Sequence, residues 1–115
     1  MEAIKEESDK GQDFIKKIET DLMDNVLTYV MDPEIEIDIV NLGLIYELKF
    51  DGSNTVDIVM TMSTPACPLS DAIVQNVRES IMHKYTNFVV NVDVVFEPAW
   101  HSGLITEEGK EMLGM

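Results

Sequence analysis

The sequence has little of several things that define common protein classes. It contains a single cysteine, Cys67, in 115 residues. One thiol cannot close an internal disulfide, so this is not a disulfide-stapled secreted scaffold, and a reducing cytoplasm is the natural compartment. The two histidines, His83 and His101, are scattered, and with one cysteine they do not make the spacing of a zinc site. Eight Lys and Arg face 22 Asp and Glu, for a formal net charge of −14. That field repels a phosphate backbone and an anionic membrane surface, which argues against nucleic acid and membrane partners. Its first effect is solubility; steering towards a basic partner comes second. No apolar run has the length of a bilayer span, and Met1-Glu2-Ala3-Ile4-Lys5-Glu6-Glu7 lacks the basic and apolar regions of a signal peptide. Neither a phosphate-binding glycine loop nor a dinucleotide fingerprint occurs.

What is present suits one small domain. Hydrophobic residues make up 45% of the chain, enough for a single core. A chain of this size buries a smaller fraction of its surface than a large one, so a homodimer would add burial. Residues 1–13 are polar and acidic, either a tail or an N-terminal extension of the first helix, and residues 14–115 read as the domain. Ile15, Ile18, Leu22, Val26, Tyr29 and Val30 recur at helical spacing, and Pro33 ends that helix by disfavouring helical geometry at Asp32. Leu44, Tyr46, Leu48 and Phe50 alternate with Glu47 and Lys49. Val56, Ile58, Met60 and Met62 alternate in the same way, and Asp51-Gly52-Ser53-Asn54 turns one strand into the other. A second amphipathic helix, Pro68 to Tyr85, carries Leu69, Ile73, Val77, Ile81 and Met82 on its apolar face. Phe88, Val90, Val92, Val94 and Phe96 form the third strand. Thr106 is placed to cap a short last helix, with Glu107 and Glu108 in its first turn and Gly114 at its stop. The predicted class is α+β: helix-strand-strand-helix-strand, a small three-stranded mixed sheet with two helices on one face, plus a short C-terminal helix.

The chemistry concentrates in Thr64-Pro65-Ala66-Cys67-Pro68. Cys67 immediately precedes the first predicted residue of a helix, where free N–H groups and the positive end of the dipole favour thiolate over thiol. A thiolate ligates soft metals or attacks an electrophile, and Ser63 and Thr64 can donate hydrogen bonds to it. The competing reading is an inert, buried cysteine. Asp32 and Glu34 can bring a carboxylate near, although a turn in which Asp32 bonds its own backbone is the simpler role. Asn41 caps or orients the loop before the first strand. Trp100, the only tryptophan, either lids a pocket or plugs the open end of the core. His101 beside it is the one candidate partner for a cysteine–histidine pair, while His83 reads as a solvent-facing helix residue.

Asp32-Pro33-Glu34, Ile39-Val40-Asn41-Leu42-Gly43-Leu44-Ile45-Tyr46, Thr64-Pro65-Ala66-Cys67-Pro68, Pro98-Ala99-Trp100, and Thr106 with Leu113-Gly114 together resemble the SufT/PaaD-like family. Its members act in the maturation of iron–sulfur proteins or in equipping particular metalloenzymes. The resemblance runs from about Leu22 to Gly114. It implies a compact α+β domain with Cys67 in the functional loop as a thiol and cluster ligand, surrounded by Asp32, Glu34, Asn41, Thr64 and Trp100. Two departures stand out: many relatives have aspartate where this chain has Asn41, and threonine or serine where it has His101. The implied role is an accessory factor rather than an enzyme, with iron–sulfur carriers or recipients as partners. One thiolate is too few ligands for a cluster, so any cluster is transient and none is bound tightly. Three routes are open: two subunits sharing a cluster, a cluster held only in complex with another protein, or an adaptor that never touches iron. The rival class is a cysteine-dependent hydrolase or thiol transferase using Cys67 and His101.

Overall fold

The computed structural model describes residues 2–32, 35–64 and 70–114, without the side chains of residues 2–10 and 70. The first helix, α1 (Glu2–Asp21), runs into a π-helical turn (Leu22–Val26) and a 3-10 turn (Leu27–Tyr29). Thus the polar stretch before Phe14 continues the helix. Then come β1 (Ile45–Phe50), β2 (Thr55–Met60), α2 (Ser70–Lys84), β3 (Val89–Val94), a 3-10 turn (Ser102–Leu104) and α3 (Glu107–Leu113). The sheet order is β1-β2-β3, with β1 antiparallel and β3 parallel to the central β2. Parallel pairing needs a crossover, and α2 supplies it.

The strand patterns hold because one sheet face is covered and the other is wet. Val56, Ile58, Met60 and Met62 are all buried, and so are Phe50 and Val90. They join Leu22, Val26 and Leu27 from the end of the first helical segment and Ile73, Val77 and Ile81 from α2 in one core. Each such side chain contributes about 1.5–3 kcal/mol when removed from water. Asp57, Asn91 and Asp93 occupy the solvent face. The hairpin turn is tied by Asp51, whose Oδ1 accepts from the N–H groups of Ser53, Asn54 and Thr55 at 2.8–3.1 Å. Those bonds, led by that of Ser53, lower its pKa. No helix among the described residues is long and apolar enough to cross a membrane.

Four residues depart from the periodic pattern, among them Phe96, which lies beyond the end of β3 and is 44% exposed. Tyr29 is 79% exposed rather than in the core. A π turn spaces its hydrogen bonds one residue wider than an α turn, so the apolar stripe slips in phase, and Leu27 and Val30 go inside instead. At Tyr46 a bulge intervenes: Ile45 pairs with Met60 but Glu47 pairs with Val59, so Ile45 takes the core side. Met82 lies at the edge of the α2 stripe and is exposed.

An ionic knot clamps α1 to the end of α2. The Asp21 carboxylate accepts from Lys84 Nζ at 2.8 Å, from Asn25 Nδ2 at 2.9 Å and from the Tyr85 hydroxyl. The bonds from Lys84 and then Tyr85 pull the Asp21 pKa down to about 2, while burial and the facing carboxylate push Tyr85 up to about 12. A depressed carboxylate contributes stability that is present above its unfolded pKa and is lost as pH falls through the folded value. The Asp21 contribution, about 1–2 kcal/mol after discounting for the half-exposed Lys84, should therefore fade between the ordinary carboxylate range and pH 2. Asp21→Asn should lower stability at neutral pH and flatten that part of the acid limb in urea titrations. An unchanged acid limb would show that the knot contributes nothing.

Candidate functional site

The parallel β2–β3 pair sends two chain segments out of the same end of the sheet. β2 ends at Met60 and continues as Thr61-Met62-Ser63-Thr64 towards the cysteine motif. β3 ends at Val94 and continues towards Trp100. The two exits meet: Thr61, Met62, Ser63, Phe96, Ala99 and Trp100 line a small depression of about 50 Å³. Cys67 itself, with Pro65, Ala66, Pro68 and Glu34, lies outside the described residues. Thr64 is half-buried at the approach to the motif. Thr61 is 1% exposed, and its hydroxyl has no hydrogen-bond partner among the described residues.

The floor on the Trp100 side is built by the loop before β1. Trp100 Nε1 donates to the Leu42 carbonyl at 2.7 Å, and the ring packs against the core, half-buried. The Tyr46 hydroxyl, displaced to this position by the bulge, donates to the Pro98 carbonyl at 2.7 Å. Gly43 follows Leu42 with φ +77°, and a Cβ there would collide with the Leu104 carbonyl. The loops 41–44 and 98–104 are therefore in backbone contact, which fixes the tryptophan over the strand ends.

Asn41 anchors the same loop from the other side. Asp38 is 4% exposed; its two oxygens accept from the Asn41 N–H at 2.9 Å and from Asn41 Nδ2 at 2.8 Å. Asn41 Oδ1 in turn accepts from the Thr106 hydroxyl at 2.6 Å, and that hydroxyl accepts from the Gly109 N–H at 3.0 Å, capping α3. The amide suits this position because it donates to a carboxylate and accepts from a hydroxyl; an aspartate here would face Asp38 as a like charge. Asp38→Ala should thus cost about 2–4 kcal/mol in chemical denaturation, since it strands two buried donors of Asn41. A loss below about 1 kcal/mol would mean water replaces the carboxylate.

The other candidates divide. Asp32 is buried, and its Oδ1 accepts from the Ile35 N–H at 3.3 Å, the turn role read from the sequence. His101 is exposed, and its Nδ1 accepts from the Gly103 N–H at 3.1 Å, closing the 3-10 turn before α3. The structure thus brings together Thr61, Ser63 and Trp100 at one end of the sheet, and joins Asn41 to Trp100 through Leu42. Sequence reading passed over Asp38, Thr61, Tyr46 and Phe96. The signal for Asp38 was present as an Asp–Asn pair three residues apart before a glycine turn. Two grooves of about 690 and 500 Å³ lie along α1, its π turn and the C-terminal part of α2, away from this end of the sheet.

The chain is 35% identical over 89 residues to an Fe–S protein maturation auxiliary factor of Porphyromonas gingivalis, covering 77% of this chain and 85% of that one. It is 36% identical over 62 residues to an iron–sulfur cluster carrier protein of Synechocystis, covering 54% of this chain but 17% of the carrier. The crystal structure of a domain of unknown function from Bacillus anthracis superimposes with a TM-score of 0.81 at 34% identity, covering 88% of this chain and 95% of that one. Residues 23–94, from the π turn to the end of β3, match the profile described as Iron-sulfur cluster assembly protein, and the chain belongs to that family.

Proposed function

We propose that this protein is an accessory factor in the maturation of iron–sulfur proteins, working as an adaptor or transient cluster carrier through Cys67. The observation that carries the reading is the convergence of the Thr61–Thr64 segment, which leads into the cysteine motif, with Trp100 at one end of the sheet. A second observation supports it. The Thr61 hydroxyl has no partner among the described residues; a buried hydroxyl left so costs about 1–3 kcal/mol, and a polar atom entering the depression would relieve that cost. The names of the similar proteins, a maturation factor and a cluster carrier, point the same way.

The cluster is cargo in this account. A cluster is usually held by four thiolates and this chain supplies one, so the remaining ligands come from a carrier, a recipient or small thiols. Asn41, Thr64 and Trp100 support the surrounding surface, and Asp32, Glu34 and His101 are the further candidates for it. A lone thiol stays reduced in the cytoplasm, where such partners are found. The thiol-enzyme alternative gains little, because His101 Nδ1 accepts from the Gly103 N–H, which leaves the neutral ring's proton on Nε2 and no lone pair there to take a thiol proton.

A strain lacking the protein tests the proposal. Iron–sulfur enzyme activities should fall while the amounts of their polypeptides stay normal. Normal activities under iron limitation and oxidative stress would reject it.

A further inference from the structure

We propose that the outer edge of β3 is a self-association surface, on which a second copy of this chain pairs antiparallel about Val92 to make a six-stranded sheet. The inference stands apart from the Cys67 reading.

β3 is an edge strand. Val89 N–H and Val95 N–H donate to the Asn54 and Met60 carbonyls, both at 2.8 Å, so the odd-numbered residues point their backbone groups at β2. In a parallel ladder the alternate residues then turn N–H and C=O outward, which leaves Val90, Val92 and Val94 as a hydrogen-bonding row without backbone partners among the described residues. The opposite edge is blunted. β1 carries the Tyr46 bulge and an exposed Lys49–Glu47 ion pair, devices that discourage edge pairing. β3 has no bulge, proline or lysine. It reads Val-Val-Asn-Val-Asp-Val, with Val92 and Val94 half-buried and Val89 exposed.

The sequence of this edge is complementary to itself in one register. Antiparallel pairing must set outward-facing residues opposite one another, so its centre falls on Asn91, Val92 or Asp93. A centre on Asp93 puts two carboxylates face to face, which is unfavourable. A centre on Asn91 sets Asp93 against Val89. A centre on Val92 sets Asn91 against Asp93 of the second copy and Val90 against Val94. It satisfies the free N–H and C=O groups of Val90, Val92 and Val94 in both copies. The two-fold axis then stands perpendicular to the sheet, so both helical layers lie on one side. The two β2 strands run in opposite directions, and the two Trp100 depressions sit at opposite ends of the joined sheet. This dimer therefore leaves each site open and is not bridged by a shared cluster.

Sedimentation velocity of the full chain over a concentration series tests this. Both copies carry a charge of −14, so the dimer should strengthen as salt screens their repulsion, the opposite of binding to a basic protein. Val92→Pro removes the central outward N–H at an edge position where proline is tolerated and should weaken the dimer at least about tenfold. Asn91→Lys sets a cation against Asp93 of the second copy and should tighten it about three- to tenfold, a gain that misfolding cannot imitate. Cys67→Ser should leave it unchanged. A monomer at every concentration and salt, a dimer insensitive to Asn91→Lys and Val92→Pro, or a dimer abolished by Cys67→Ser would each overturn the proposal.

Discussion

Replacement of Gly43 by alanine is expected to destabilise the protein by about 3 kcal/mol or more, near the upper range for single substitutions. Two penalties coincide. The backbone at Gly43 has φ +77°, which costs an L-residue about 1–2 kcal/mol. The added Cβ would also strike the Leu104 carbonyl and approach the Leu104 Cβ to 2.9 Å. Backbone cannot rotate away as a side chain can, so the loops 41–44 and 98–104 would have to part. Their separation would strain the Trp100–Leu42 bond and the Thr106–Asn41 bond, which lie on either side of the contact. Urea unfolding measures the loss. A change below about 1 kcal/mol would contradict the close approach of these loops.

Replacement of Cys67 by alanine is expected to separate function from folding. The apolar core is closed by β2, β3 and the helical segments packed on them. A thiol in the loop between β2 and α2 adds little to it. The variant should melt within a few degrees of the natural protein, yet iron–sulfur enzyme activities in a strain carrying it should fall about tenfold, towards those of the deletion. In the sequence Cys67 stands just ahead of the α2 segment, so the thiol is further expected to titrate below the reference value of about 8.5, and alkylation rate against pH reads this directly. Loss of several kcal/mol of stability would instead mark a buried structural cysteine.

Much of the fold was legible because burial on one side writes a strict period. The alternation through Val56, Ile58 and Met60 matches the buried face of β2, and Thr106 and Gly114 cap and stop α3 as their residue types require. What was not legible depends on events with no period. A π turn moved Tyr29 to the surface, and a bulge moved Tyr46 from the core stripe to the Pro98 carbonyl. The direction of β3 relative to β2 is not written in its own alternation, since a strand reads alike in either sense. Only the length of α2 as a crossover hinted at parallel pairing.

The site divides similarly. Trp100 and the segment leading to Cys67 stand out as residue types, and the parallel pair explains how 96–100 reaches 61–63. Asp38 was hidden because an acidic residue in a polar loop looks solvated until its partners fold over it. Here the Asn41 amide and backbone N–H enclose it. Thr61 was hidden for the opposite reason: its side chain continues a strand and shows its cost only when no partner arrives.

The most direct measurement of the central claim is anaerobic activation of a purified apo iron–sulfur enzyme by a cluster-loaded carrier, followed by activity over time. Added in catalytic amounts, this protein should raise the activation rate, and equal amounts of folded Cys67→Ser should not. Equal acceleration by the two proteins, or none by either across several recipients, would contradict a role for Cys67 in cluster delivery.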